Sequence, residues 1–209
     1  MGIWTDRVVP HLTDRALRTE EIGELRAEAC AGLRGRVLEL GFGSGLNLRH
    51  LPPEVTSVSA VEPADEGWAL SESRRRRSHV RVERSGLDGQ ALAEAEASFD
   101  SVLVTFSLCT IPDPAAALAE VRRVLRPGGR LHFLEHGLSP DPGVARWQAR
   151  LEPVQRRVFA GCHLTRDMPA LVIAAGLDLE TVRTEYTPGP AFMRPWTYGY
   201  LGRAVRPAD

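Results

Sequence analysis

Residues 37–47 read VLELGFGSGLN, an apolar run closed by glycines at positions 41, 43 and 45. Unbroken apolar character over so few residues marks a strand covered on both faces, as in a parallel sheet. Glycine lets the backbone bend sharply and approach a ligand, because no Cβ stands in the way. The spacing predicts a tight turn through Gly41, Gly43 and Gly45 into a helix that begins near Ser44. An acid, Glu39, stands inside the strand, two residues before the first glycine.

Runs of the same kind follow: VSAVEP (58–63), VRVERS (80–85), FDSVLVTFS (99–107) and GRLHFLEHG (129–137). Helical patterns lie between them. In DPAAALAEVRRVLRPGG (113–129), Asp113 is a suitable N-cap and Pro114 suits the first helical position. Leu118, Val121 and Leu125 share one face, and Arg122, Arg123 and Arg126 sit where the helix dipole favours cations. Residues 143–158 place Val144, Trp147, Leu151, Val154 and Val158 on one stripe, with Trp147 expected in the core. Pro153 should kink or break that helix. A short helix (168–175) and Gly176 precede two further strands, 177–186 and 197–204, joined by the proline-rich TPGPAFMRPW. The pattern predicts a single-domain α/β fold. It is a Rossmann-like, doubly wound seven-stranded sheet with an antiparallel C-terminal strand. Residues 1–35 read as a helical segment over the ligand edge, and residues 36–209 as the domain proper.

Composition excludes several classes. A chain of 209 residues suits one domain, and a net charge of −1 gives no general drive toward nucleic acid or an anionic membrane. All the basic residues are arginine, which removes Schiff-base and lysine general-base chemistry. Three widely spaced cysteines, Cys30, Cys109 and Cys162, are no disulfide framework, and without a C-x-x-C pair no metal site is expected. The N-terminal residues carry no long apolar run, so neither a leader nor a membrane anchor is expected, and Asp6 stands where a myristoylation signal wants Ser or Thr. A reducing cytoplasm fits these features. Oligomeric state is not legible.

The glycine turn and its acids define a ligand. Glu62, at the end of the second strand and about 20 residues after the glycines, is placed to accept both hydroxyls of a ribose. The spacing G-x-G-x-G differs from the dinucleotide pattern, and Glu39 would repel a pyrophosphate. S-adenosylmethionine, with an adenosine, a sulfonium and an ammonium but no phosphate, suits both acids. The bland reading is a plain strand–helix turn with a solvated Glu62.

VLELGFGSG, VEPA, FDSVLVTFSLCTIPD and LRPGGRLHFLEHG together resemble the successive motifs of the class I S-adenosylmethionine-dependent methyltransferases. Within the class, SLCTIP, LEHG, GCHLTRD and RPWTYGYLGRA are most similar to the methyltransferase-like thiol S-methyltransferases and their small bacterial relatives. The quinone C-methyltransferases are more distant. The resemblance implies that Gly41, Gly43 and Gly45 line the cofactor's methionine portion, with Glu39 near its ammonium and Asn47 beside them. It implies that Glu62, with Pro63, holds the ribose. Gly86 and Leu87 would lie by the adenine, where the family often has an acid and this chain has RSGLDG. Thr105, Phe106 and Ser107 would end the fourth strand beside the sulfonium.

Methyl transfer from a sulfonium is an in-line displacement, so alignment and exclusion of water are the main tasks. A base is needed only for a protonated nucleophile. His136, after the fifth strand, is the candidate catalytic residue, either as base or as a strand-end histidine that fixes the next loop. Glu135 is expected to face the other way. Cys109 and Cys162 read as small buried hydrophobes. In FAGCHLTRD (159–167), Thr165 and Asp167 are candidate helix caps, and His163 and Arg166 face an acceptor or pair with a carboxylate. Phe192 and Met193 are candidate walls of the acceptor pocket. The four arginines at 74–77 read as a solvated helix end. The expected partner is a small, mostly apolar acceptor bearing a thiol, hydroxyl or quinone-like carbon. The competing functions are a cofactor-binding regulator without turnover and a dinucleotide oxidoreductase.

Overall fold

The computed structural model describes residues 7–208. Asp6 and the residues before it lie outside the described part. The strands are β1 (Gly35–Leu40), β2 (Val55–Val61), β3 (Arg81–Gly86), β4 (Phe99–Thr105), β5 (Leu125–His136), β6 (Asp178–Tyr186) and β7 (Tyr198–Val205). They form one sheet in the order β3-β2-β1-β4-β5-β7-β6. β1 to β5 pair in parallel, and β7 runs antiparallel between β5 and β6. The expected seven-stranded mixed sheet is present.

Helices α1 (Val9–Ala16) and α2 (Glu20–Cys30) precede the sheet, α3 (Asp65–Leu70) and α4 (Glu72–Arg77) follow β2, and α5 (Pro114–Val124) joins β4 to β5. Helices α6 (Pro142–Val158) and α7 (Met168–Ala174) lie between β5 and β6, and α8 (Arg194–Thr197) enters β7. Asp113 caps α5 through the amides of Ala115 and Ala116, with Pro114 at the first position. Asp167, not Thr165, caps α7 through Ala170 N. Two apolar clusters sandwich the sheet. One gathers Phe99, Phe133, Leu118 and Met168, and the other Leu33, Val37, Leu103 and Phe42.

Two expectations fail, and of the kink or break expected at Pro153 the break is absent. No α-helix starts near Ser44; a single 3₁₀ turn, Leu48–His50, follows the glycines. Pro52 and Pro53 come too soon, and Leu51 before them is held extended at ψ 128°. Helix α6 does not break at Pro153 but continues to Val158. Pro153 is exposed, so the carbonyl of Ala149 that it leaves unpaired can be hydrated. Finally, the apolar stripe of α6 is buried at Val144 alone. Trp147 is 55% exposed and Val154 62%, while Val144, Gln148 and Gln155 face inward. The glutamines do what no apolar residue could. Gln148 accepts from Ser139 N and donates to the carbonyls of Gly137 and Pro195, and Gln155 accepts from Trp196 Nε1.

The arginine run is not wholly solvated either. Arg74 bonds Ser44 O and Asp14, and Arg75 lies 3.8 Å over the Trp68 ring. His132, in the middle of β5, ties α2 to the sheet through Ala29 O at 2.9 Å. Burial drives its pKa down to about 4. The unfolded chain therefore binds more protons between pH 4 and 6.5, and stability should fall as pH drops through that window. At pH 5 the loss relative to pH 7 is on the order of 2 kcal/mol. Urea midpoints at the two pH values check this, and His132→Gln should flatten the difference.

Candidate active site at the carboxyl edge of the sheet

The chain leaves β1 through Gly41, Gly43 and Gly45, with φ of +73°, +56° and +76°. Each value lies in the left-handed region that favours glycine. A Cβ on Gly41 would run into Ser107 Oγ, so this turn packs directly on the end of β4. A Cβ on Gly43 would meet nothing within 4 Å, so the turn presents an open side there.

A buried polar network lies beneath. Asn47 Nδ2 donates to Glu39 Oε1 at 2.8 Å and to Thr105 Oγ1 at 3.0 Å. Arg26 reaches in from α2, donating from Nη1 to Asn47 Oδ1 at 2.8 Å and to Thr105 Oγ1 at 2.9 Å. Its guanidinium also lies 5.4 Å from the centre of the Phe106 ring. Burial pulls Arg26 down to about 10 despite the Glu39 carboxylate nearby. Burial pushes Glu39 up to about 7, against the opposing pull of Asn47 and Arg26. Glu39 Oε2 is buried and has no partner among the described residues. The Arg26 contribution was missed in the sequence. Its signal was there: Gly23, Arg26 and Cys30 form a helical stripe, and all are buried, so a cation stands at an apolar position.

Glu62 turns its carboxylate back on the glycine turn. Oε2 accepts from Gly43 N at 2.5 Å and Oε1 from Ala64 N at 2.8 Å. Burial raises its pKa, opposed by those two amides and by Arg84. Each oxygen keeps a free lone pair for a hydroxyl. Gly86 accepts from Glu62 N, so the ends of β2 and β3 are tied together. Pro63 and Leu87 are exposed at this same edge. Helix α1 contributes Asp14, which accepts from Ser44 Oγ at 2.6 Å.

The end of β4 is shaped by Glu135. Its carboxylate accepts from the amides of Ser107 (2.7 Å), Leu108 (2.9 Å) and Cys109 (3.3 Å). Burial raises its pKa and the three amides oppose that rise. Phe106 takes a φ of +53° to make the turn, and Ser107 Oγ bonds Gly41 O at 3.3 Å. The neighbouring His136 bonds Cys162 Sγ through Nε2 at 3.0 Å. Burial lowers the His136 pKa, but the Cys162 contact and the Glu135 charge outweigh it and the net direction is upward.

On the other side, His163 Nδ1 pairs with Glu152 Oε1 of α6 at 2.6 Å, a partner the sequence did not indicate. Arg166 is paired with no carboxylate among the described residues. It donates to the carbonyls of Leu108, Ile111 (2.8 Å) and Pro112 (3.4 Å), holding the loop after β4. Phe192 and Met193 are exposed on a 3₁₀ turn, Ala191–Met193, at 74% and 38%. Thus the cofactor candidates converge, His136 lies near them past Glu135, and the acceptor candidates are spread more widely.

An open sheet of this order, with a glycine turn and acids at the ends of β1 and β2, defines a methyltransferase fold. Residues 38–133 match the family model described as a methyltransferase domain. The thiol S-methyltransferase TMT1B of Rattus norvegicus is 36% identical over 174 residues, covering 81% of this chain and 70% of that protein. The demethylmenaquinone methyltransferase of Clavibacter sepedonicus is 34% identical over 111 residues, covering 53% and 45%. A solved S-adenosylmethionine-dependent methyltransferase of Thermotoga maritima shares the fold with a TM-score of 0.71, at 21% identity, over 99% of this chain and 100% of that one. The chain belongs to the class I S-adenosylmethionine-dependent methyltransferases, and S-adenosylmethionine is its cofactor.

The residues present fit that cofactor. The orphaned Glu39 oxygen suits an ammonium, the spare lone pairs of Glu62 suit a diol, and the open side of Gly43 leaves room between them. No described helix is long and apolar enough to cross a membrane. The Glu135 clamp yields a prediction. Glu135→Gln swaps one acceptor oxygen for an amide that cannot accept, so a buried donor loses its partner. Stability should fall by about 1–3 kcal/mol, seen as a lower urea midpoint at unchanged m value.

Proposed function

We propose that the protein methylates a small, mostly apolar thiol, by in-line transfer from S-adenosylmethionine. The observation that carries this reading is the 36% identity to the thiol S-methyltransferase over most of both chains. The chemistry agrees. An alkyl thiol titrates near 8.5, so modest local help produces the nucleophile. A hydroxyl acceptor would demand a stronger base, and a quinone-like carbon is the alternative that the menaquinone relative supports.

In this reading Gly41, Gly43 and Gly45 cradle the methionine portion, Glu39 takes the ammonium, and Asn47 orients Glu39. Glu62, flanked by Pro63, takes the ribose hydroxyls, and Gly86 and Leu87 border the adenine. Thr105, Phe106 and Ser107 flank the sulfonium. Helices α1 and α2 of the N-terminal segment act as a cap that excludes water from the cofactor. Arg26, cationic and aimed at the same network, is placed to meet the methionyl carboxylate. His136 orients the acceptor or takes its proton. His163 and Arg166 brace the acceptor side, and Phe192 and Met193 wall it. A reducing, cytoplasmic setting belongs to the same reading, supported by three buried free cysteines.

A panel of alkyl thiols, phenols and quinols, monitored by release of S-adenosylhomocysteine, tests the acceptor. Turnover with thiols is expected, and turnover confined to quinols would overturn the thiol reading. Glu62→Ala should lose about 2 kcal/mol of cofactor binding, more than about tenfold in Kd by calorimetry. His163→Ala should raise the acceptor KM while the cofactor Kd stays unchanged. A lost cofactor affinity in a folded His163→Ala protein would show that this loop serves the cofactor instead.

A further inference from the structure

Three side chains converge where the turn after β4, the end of β5 and the loop before α7 meet. Cys162 Sγ is 3.8 Å from Cys109 Sγ and 3.0 Å from His136 Nε2, and all three donor atoms lie within 4.8 Å of one another. Two thiolates on a tetrahedral zinc ion, each at about 2.3 Å, stand ~3.8 Å apart, and a thiolate and an imidazole nitrogen ~3.6 Å apart. The sulfur pair already has that separation, and a small outward turn of the imidazole completes the triangle. Two soft thiolates and an imidazole are a zinc donor set, and three protein ligands leave a fourth position open. Neither cysteine is in a disulfide.

The position of the cluster matters as much as its chemistry. Cys109 is two residues beyond Ser107, which bonds the glycine turn, so the cluster lies at the cofactor edge of the sheet. The Glu135 clamp on the 107–109 amides and the Arg166 clamp on Leu108 and Ile111 carbonyls hold Cys109 from both sides. With Nε2 on the metal, the imidazole proton falls on Nδ1, which has no partner in the described protein and is left for the acceptor.

We propose that Cys109, His136 and Cys162 bind one zinc ion, and that its open fourth position takes the acceptor thiol as a thiolate. The second half rests on the thiol reading above; the first does not. The acceptor thiol coordinates and releases its proton to solvent. The thiolate electron pair forms the new S–CH₃ bond as the methyl–sulfonium bond breaks. S-adenosylhomocysteine and a neutral thioether result. The thioether is a weaker ligand than a thiolate and departs, reopening the position. Zinc is neutralised by its two cysteinates, and the Arg166 guanidinium, bonded to the Leu108 carbonyl next to Cys109, supplies positive charge on that side for the bound thiolate.

Zinc content of the untagged, reduced protein, followed by cobalt substitution, tests this. About one metal per chain is expected, with a thiolate-to-cobalt charge-transfer band. Cys109→Ser, Cys162→Ser and His136→Gln should lose the metal, His136→Cys should keep it, and Cys30→Ser should bind as the parent does. Circular dichroism and melting curves confirm that the variants are folded. Adding an alkyl thiol to the cobalt protein should shift its visible spectrum. A reduced protein that takes up no zinc, or variants that bind it undiminished, would overturn the site. So would a Cys109–Cys162 disulfide that leaves no metal bound after reduction. A cobalt spectrum unmoved by thiol, or full turnover of thiols by metal-free protein, would overturn the open-position role and leave the methyltransferase reading standing.

Discussion

The carboxylate of Glu135 is wholly buried and collects three consecutive backbone amides from the turn after β4. A buried carboxylate is costly unless its oxygens are met by donors, and here the donors are a stretch of chain that has no strand to pair with. One interaction therefore satisfies both partners and sets the path from Thr105 to Cys109. From that path follow the contact of Ser107 with the glycine turn and the approach of Cys109 to Cys162. The left-handed Phe106, an unfavourable conformation for a bulky residue, is tolerated because the amides on its C-terminal side are so firmly held.

A second constraint comes from outside the sheet. Helix α2 buries a guanidinium among Glu39, Asn47 and Thr105, so the N-terminal segment is joined to the site by charge and hydrogen bonds as well as by apolar packing. Glu39 has a permanent cation, Arg26, nearby and leaves its own Oε2 unsatisfied. Its raised pKa reflects a carboxylate that burial disfavours and that a second cation in the site would draw back to the ionised state.

Strands and their order were legible because period and punctuation agree: five apolar runs, each ended by glycine, proline or a polar residue, and two more joined by prolines. The glycine turn and Glu62 were legible because their chemistry is local, a bend and an acid at fixed distance. What failed were readings in which tertiary satisfaction outweighed pattern. The stripe of Trp147, Leu151 and Val154 has helical spacing, yet Gln148 and Gln155 face inward because the Ser139 amide, the Gly137 and Pro195 carbonyls and the Trp196 indole need partners. The helix expected at Ser44 is absent because two prolines end the segment too early. The meeting of Cys109, His136 and Cys162 was not legible, since the three lie on separate segments up to 53 residues apart and only the fold joins them. Glu152, the partner of His163, escaped notice for the same reason.

The strand order β5-β7-β6 also bears on how the chain is made. β6 precedes β7 in the chain but, among the described residues, has β7 as its only sheet neighbour. During synthesis, residues 178–186 must wait, without a ladder partner, until residues 198–205 have left the ribosome. The sheet is complete when β7 lies between β5 and β6, with Arg206 just beyond it bonding carbonyls at the end of α5. The exposed Thr, Arg and Glu side chains along β6 keep that waiting strand polar on most of its length, a safeguard against pairing with a neighbouring nascent chain.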